Sequence, residues 1–187
     1  MKANSLGTLN PFHLYKSIFV FFARLMLLSV LWISAYHFIL HPLRVPDRFL
    51  TNITTGSVTG VINIFSHRSA LTWISSTSNP LAYILQGSKT VLVIYDDCNG
   101  LNLLVIYLSM IILLPYSAKR KIGYGVGGIL LIIAGNIIRC LSLYWIYIHF
   151  NSSFDFNHHY VFTLLMYLLI LFCWLSFTKT KKLNETG

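Results

Sequence analysis

Cys98 is the side chain in this sequence best placed to act as a nucleophile. It lies in the stretch YDDCNGL at 95–101, directly before an apolar run at 101–116 that is typical of a membrane-spanning helix. A cysteine in a polar turn at a helix N-terminus is favoured as a thiolate by the helix dipole. Such a thiolate can attack a carbonyl carbon and form a thioester, which is the first half of an acyl transfer.

Arg139 and His158 are predicted to lie at the same membrane level as Cys98. Counted outward from the basic end of each predicted span, about 20 residues reach Cys98, about 20 reach His158 and about 17 reach Arg139, or roughly 26–30 Å. An imidazole can transfer the thiol proton, and a fixed guanidinium can stabilise negative charge on a carbonyl oxygen. The three side chains therefore predict acyl transfer near the outer surface, with no metal and no cofactor.

Each of these residues also has a purely structural explanation. An arginine in the outer part of a span can extend to lipid headgroups, and a histidine at a helix start can be an interfacial residue. A lone cysteine is usually a small apolar packing residue, which is what we expect of Cys140 and Cys173. Arg139 differs because charged groups within spans are costly and usually face a cavity or a partner.

The elements that position these groups follow from composition. Of the 187 residues, 56% are hydrophobic and only 10% are charged, which predicts a polytopic membrane protein without a separate soluble domain. The net charge of +9 arises from short basic clusters beside apolar runs, which is typical of topology signals and lipid contacts and not of nucleic-acid binding. The three cysteines have neither paired nor metal-binding spacing, so no disulfide framework is expected.

We predict an all-α polytopic fold that forms a single integral membrane domain over residues 1–187. Its apolar runs indicate four transmembrane helices, because about 20 residues of helix cross a hydrocarbon core of about 30 Å. The predicted spans are about 17–40, 101–116, 124–148 and 160–177.

The segment of about 41–98 is predicted to lie on the extracytoplasmic side. The prolines in HPLRVP at 41–46 end the first span. The run 49–65 carries many threonines and asparagines, which favours a helix at the membrane interface or packed on protein over a lipid-facing span. The β-branched run 90–95 predicts a small β-hairpin-like segment that leads into Cys98. Because open strand edges cannot face lipid, this segment must lie outside the hydrocarbon.

Basic clusters determine the predicted orientation. The positive-inside rule places those at 119–121 and 179–182 in the cytoplasm, which puts both termini there and Cys98 on the opposite side. Asp96 and Asp97 would repel a thiolate if they pointed at it. We therefore expect these two acids to orient a histidine or to bind a positive charge on a substrate.

Residues near Arg139 on the same predicted helix have supporting roles. Asn136 lies one turn earlier on the same face, where it either holds the guanidinium or donates to an oxyanion, or else makes an interhelical hydrogen bond. Four glycines near the start of this helix are expected to allow close helix packing. The four are Gly123, Gly125, Gly127 and Gly128.

Three short pieces of this sequence resemble the signature of the exosortase/archaeosortase family. They are CNG at 98–100 at the head of one span, NIIR at 136–139 in the next, and a histidine at the head of the following span. The resemblance covers about residues 45–177 and includes the hairpin-like segment. Larger family members have more spans, so this chain is most similar to the short exosortases of Bacteroidetes-type bacteria.

The resemblance implies a cysteine transpeptidase or protease of the bacterial inner membrane, with its active site on the extracytoplasmic side. Family substrates are exported proteins whose C-terminal tail has a short recognition motif, a transmembrane helix and a basic end. By the resemblance, Cys98 is the nucleophile, Arg139 the transition-state stabiliser and the histidine the proton-transfer group. His158 aligns best because Tyr160 then keeps its offset, and His159 is the competing choice.

An alternative function requires no chemistry. The chain would then be a non-catalytic membrane subunit or scaffold of an export system, in which the same residues only pack. A small transporter is the least favoured function, because too few polar groups lie deep in the predicted spans to line a pathway.

Overall fold

The computed structural model describes four parts of the chain. They are residues 11–65, 71–76, 79–149 and 156–179. These parts form five long helices and one three-stranded antiparallel sheet. The lysines at 181 and 182, which contributed to the predicted orientation, lie outside the described residues.

The first helix, α1 (Pro11–Ala35), is prolonged by a π-helical turn (Tyr36–Leu40) and a short helix (His41–Leu43). The predicted end of the span at residue 40 is therefore wrong by about one turn. The first proline of HPLRVP does not break the helix because it lies in the first turn of a new helical segment, where a missing N–H costs little. The helix ends instead at Arg44, whose φ of 49° is left-handed.

Helix α2 (Val45–Phe65) packs on protein, which confirms one of the two arrangements predicted for this run. Its inward face is polar, with a carboxylate and three hydroxyls at intervals of four residues. All four are buried: Asp47, Thr51, Thr55 and Thr59. Apolar residues of α2 pack beneath the sheet.

Strands β1 (Leu71–Ser75), β2 (Leu81–Gln86) and β3 (Lys89–Tyr95) form an antiparallel sheet in that order. A two-residue turn joins β2 to β3, and Gly87 in that turn has a φ of 60°, which glycine adopts readily. The predicted hairpin is confirmed, and β1 adds a third strand beside β2. The last strand leads directly into the turn that carries Cys98.

Three helices follow the sheet: α3 (Leu101–Leu113), α4 (Ala118–His149) and α5 (Phe162–Lys179), the last preceded by a π-helical turn (Asn157–Val161). Within the described residues, three helices are long and apolar enough to cross a membrane. They run over Phe19–Leu43, Ala118–His149 and Asn157–Lys179.

The fourth predicted span, at 101–116, is not fully confirmed. Helix α3 is apolar but has only 13 residues. At the helical rise this is about 20 Å, shorter than a hydrocarbon core of about 30 Å. The helix ends because Leu114 precedes Pro115 and takes an extended conformation with a ψ of 140°.

Two apolar clusters hold these elements together. One joins α3, α4 and α5 and includes Tyr107, Ile132 and Phe177, each 0% exposed. The other joins the sheet to α2 and α4. Cys140 lies in the second cluster and Cys173 in the first, so their expected role as packing residues is confirmed.

Close packing of α3 on α4 depends on one of the four glycines predicted to allow it. A Cβ atom at Gly128 would overlap the Tyr107 ring. A Cβ at Gly125 would make ordinary van der Waals contact, and one at Gly123 or Gly127 would meet no described atom within 4 Å. The prediction therefore holds for Gly128 and, more weakly, for Gly125.

Basic side chains bind helix ends at one end of the bundle. Arg120 donates to the backbone carbonyl of Phe177 near the end of α5, and Lys121 Nζ donates to the carbonyl of Ile112 near the end of α3 at 2.7 Å. Cations at helix C-termini stabilise unpaired carbonyls and oppose the helix dipole. The start of α4 thus lies beside the ends of α3 and α5, and Cys98 lies at the opposite end of α3.

Candidate active site

The turn that carries Cys98 is fixed between β3 and α3. Asp96–Cys98 form one 3₁₀ turn, and the backbone N–H of Asp96 donates to the carbonyl of Pro80 at 2.9 Å. Gly100 then takes a φ of 88°, a left-handed conformation that glycine adopts without steric cost. Helix α3 begins at the next residue, so the thiol lies just before a helix N-terminus, as the sequence indicated.

The side chain of Asn99 connects this turn to α2 through hydrogen bonds. Its Nδ2 donates to Asp47 Oδ1 at 2.9 Å, and its Oδ1 accepts from the backbone N–H of Leu101 at 2.8 Å. Asn99 and Asp47 are each only 2% exposed, so their hydrogen bond lies in a low dielectric that strengthens it. The hydroxyl of Tyr36 also donates to Asp47, at 3.0 Å, which extends the network to the first span.

Asp96 fixes the other side of the turn. Its carboxylate accepts from Arg44 Nε at 2.9 Å and from Thr51 Oγ1 at 2.7 Å. Arg44 also donates to the backbone carbonyl of Ser76, at 3.0 Å. The expectation that Asp96 orients a histidine is therefore wrong, because its carboxylate is directed back to Arg44 and α2. Asp97 is exposed, and its contact with a substrate charge stays a prediction.

Arg139 and His158 both lie close to the thiol. Cys98 Sγ is 3.6 Å from His158 Nε2 and 3.9 Å from Arg139 Nη2, and these two nitrogens are 3.3 Å apart. All three side chains are partly exposed. The structure thus brings together three residues that come from the turn before α3, from the second half of α4 and from the π-helical turn before α5.

A small cavity opens at these three side chains. Its volume is about 110 Å³, and its walls are the end of β3, the second half of α4 and His158. Because one water molecule occupies about 30 Å³ in the liquid, the cavity has room for a carbonyl group and a few neighbouring atoms.

The geometry distinguishes the two adjacent histidines. His158 Nε2 faces the thiol. His159 is exposed and contacts the ring of His158 edge-on, with 4.7 Å between the ring centroids. Of the two histidines that the sequence left open, His158 is the one in contact with Cys98.

Asn136 supports the backbone of the thiol turn. It is fully buried, and its Nδ2 donates to the backbone carbonyl of Cys98 at 3.0 Å. Its side chain also packs against Gly100, where an added Cβ would lie 3.6 Å from Asn136 Cγ. The predicted contact with the Arg139 guanidinium is not made between these described residues, and the interhelical hydrogen bond is the alternative that the structure contains.

His158 Nε2 lies within reach of both the Arg139 guanidinium and the thiol. In the neutral imidazole whose proton is on Nδ1, Nε2 carries a lone pair directed toward these groups. This tautomer presents a lone pair to the thiol proton, which is what a general base requires.

The buried polar network behind the thiol was not predicted from the sequence. A signal for part of it was present, because polar residues at intervals of four, from Asp47 through Thr51 and Thr55, mark one face of a helix. Arg44 carried no such signal, since its partner Asp96 lies 52 residues away. No protein-family model, no curated protein and no solved structure matches the chain.

Proposed function

We propose that this protein is a membrane-embedded cysteine transpeptidase or protease that cleaves the C-terminal sorting tails of exported proteins through a thioester on Cys98. One observation supports the proposal: a thiol sulfur, an imidazole nitrogen and a guanidinium nitrogen lie within 3.3–3.9 Å of one another at a cavity. The resemblance of the same residues to the exosortase/archaeosortase signature supports this chemistry.

In the first step, His158 Nε2 takes the thiol proton, and the thiolate of Cys98 attacks the carbonyl carbon of the scissile peptide bond. The carbonyl π electrons move to the oxygen, and Arg139 donates to the resulting oxyanion. The C–N bond then breaks, and its electron pair leaves with the amine, which takes the proton from His158. A thioester remains on Cys98.

We assign Arg139 to the oxyanion because its guanidinium lies 3.9 Å from the sulfur that the carbonyl carbon approaches. At an effective dielectric constant of about 20, unit charges 3.3 Å apart, the separation of Arg139 Nη2 and His158 Nε2, repel by about 5 kcal/mol. This repulsion between the guanidinium and the imidazolium favours transfer of the imidazolium proton to the leaving amine.

In the second step, an amine or water attacks the thioester. His158 removes the proton of the attacking group, the C–S bond breaks, and Cys98 leaves as the thiolate and is then reprotonated. The proposed substrates carry a short recognition motif, a transmembrane helix and a basic end. The proposed location is the bacterial inner membrane, with membrane lipid as a partner, both termini in the cytoplasm and the site on the extracytoplasmic side. The basic helix-end contacts of Arg120 and Lys121, at the opposite end of α3 from Cys98, support that orientation.

The decisive test is to trap the thioester. The protein is expressed with a tagged exported protein that carries such a tail, and covalent adducts are examined before and after treatment with hydroxylamine, which cleaves thioesters. We expect a hydroxylamine-sensitive adduct in the wild type that is absent from Cys98→Ala. Cys173→Ala, which removes a buried thiol outside this cavity, is the matched control and should form the adduct. Normal processing of the tail by Cys98→Ala would overturn the proposal.

The histidines provide a second comparison within the same assay. His158→Ala should lower the rate of tail processing by at least about 100-fold, because general acid–base catalysis contributes about 10²–10⁴-fold. His159→Ala should leave it within a few-fold of the wild type. The scaffold alternative makes a different prediction, since both histidine variants and Cys98→Ala would then leave processing unchanged.

A further inference from the structure

The outer edge of β3 runs beside Cys98. In the described part of the chain, β3 has a strand neighbour on one side only. Four consecutive residues of this strand, 92–95, line the cavity at the thiol. Because consecutive side chains of a strand point to opposite faces, a cavity that touches four residues in a row lies along the edge of the strand and not over one face.

The register shows which backbone groups this edge presents. The backbone N–H of Asp96 donates to the carbonyl of Pro80, which directly precedes β2. In an antiparallel pair, every second residue directs its N–H and C=O groups to the neighbouring strand. Ile94 and Leu92 therefore direct their backbone groups to β2. Val93 and Tyr95 direct their N–H and C=O groups to the open edge, two residues and about 7 Å apart.

We propose that the polypeptide segment to be cleaved binds as an extended strand along this edge, hydrogen-bonded to the backbone of Val93 and Tyr95, with its scissile carbonyl at Cys98. The inference rests on the proposed function and adds how the substrate is held. It follows a common mode of peptide recognition, in which a strand added to a sheet edge gains its binding from main-chain hydrogen bonds.

The dimensions of the cavity favour this occupant. An α-helix turns its carbonyls into internal hydrogen bonds and has a diameter of about 10 Å with its side chains, so a helical segment would offer the thiol in this small cavity no free carbonyl. An extended segment exposes each carbonyl. Strand edges also cannot face lipid, because unpaired N–H and C=O groups are too costly there, so a peptide or water must pair with this edge.

The test uses the full protein and two thiol probes. One is iodoacetamide, and the other is acetyl-trialanyl chloromethyl ketone, whose backbone can pair with β3. Labelling rates are read by mass spectrometry of the peptide that contains Cys98. Val93→Pro removes one outward N–H and keeps the bonds to β2, which edge strands tolerate. Val93→Ala keeps the N–H and is the matched control.

We expect Val93→Pro to lower the rate of labelling by the peptide probe by about 3- to 10-fold, the contribution of one net hydrogen bond. The rate with iodoacetamide measures the effect of each substitution on the thiol itself, so the ratio of the two rates is compared. Val93→Pro should lower this ratio, and Val93→Ala, which shortens the same side chain and keeps the N–H, should keep the wild-type ratio. Two further probes each carry a methyl group on one of two adjacent backbone nitrogens. One of them should label Cys98 more slowly than the unmethylated probe and the other should not, because only alternate N–H groups of a strand face its neighbour.

The outcomes separate this inference from the function on which it rests. If Val93→Pro and the methylated probes all react at the wild-type rate, strand pairing is overturned while the thiol chemistry remains. If neither probe labels Cys98 in the wild type, the proposed nucleophile is unreactive, and both proposals are overturned.

Discussion

Asp96→Asn tests directly how the thiol turn is held in place. The substitution keeps the shape of the side chain and removes its negative charge. It also replaces one carboxylate oxygen by an NH₂ group, so the side chain can accept only one of the two hydrogen bonds that Arg44 Nε and Thr51 Oγ1 donate to Asp96. Asp97→Asn makes the same chemical change at an adjacent exposed position and is the matched control.

The expected cost follows from the burial of the ion pair. Removal of one partner of a buried pair usually costs about 3–5 kcal/mol, because the remaining charge is uncompensated. Arg44 is 15% exposed and keeps its bond to the Ser76 carbonyl, which places the cost near the low end, at about 3 kcal/mol. For a chain of this size that is a decrease in Tm of about 6–12 °C. Asp97→Asn should stay within about 0.5 kcal/mol.

The assay is thermal unfolding of the three purified proteins in one detergent, followed by tryptophan fluorescence. The rate at which iodoacetamide labels Cys98 is measured in parallel, because a turn that has lost its anchor no longer fixes the thiol. We expect a lower Tm and a changed labelling rate in Asp96→Asn alone. Equal Tm values for the two variants would refute the argument that the pair between Arg44 and Asp96 holds the turn.

Two further predictions concern the first half of α4. Gly128→Ala should lower the free energy of unfolding by about 1–3 kcal/mol, because its Cβ overlaps the Tyr107 ring. Gly127→Ala, whose Cβ meets no described atom within 4 Å, should raise it by about 0.5–1 kcal/mol, because alanine favours a helix over glycine; equal thermal melts would contradict the packing. Arg120→Lys should cost about 1 kcal/mol, since lysine loses the planar stacking of the guanidinium on the surrounding aromatic rings. The exposed swap Lys119→Arg should leave the same melt unchanged, and a similar effect of both swaps would argue against the stacking.

The shared level of Arg139 and His158 could be predicted because the rise of a helix per residue is constant. Counting residues along helices that cross one layer therefore gives the level that each side chain reaches. For Cys98 the same count assumed about 20 helical residues, whereas α3 has 13. The choice between His158 and His159 could not be made in this way. Adjacent residues of a helix point about 100° apart, and the π-helical turn changes that phase without a signal in the sequence.

Some structural features that were not predicted had a local signal in the sequence, and others had none. The early end of α3 could have been predicted, since a residue before proline avoids the helical conformation and Leu114 precedes Pro115. The partners of Asp96 and Asn136 could not, because hydrogen bonds between distant segments depend on how helices are placed in space. A single sequence carries the spacing within an element and not the placement of one element against another.

The π-helical turn at Asn157–Val161 is equivalent to one residue inserted into an α-helix. In evolutionary terms, such a turn is gained by the insertion of a single codon and lost by its deletion. Because each residue rotates a helix by about 100°, a one-residue deletion here would rotate His158 out of line with Cys98 while the packing of α5 further along stays in register. A descendant of this chain with that deletion would keep Cys98, Arg139 and His158, but His158 would no longer face Cys98.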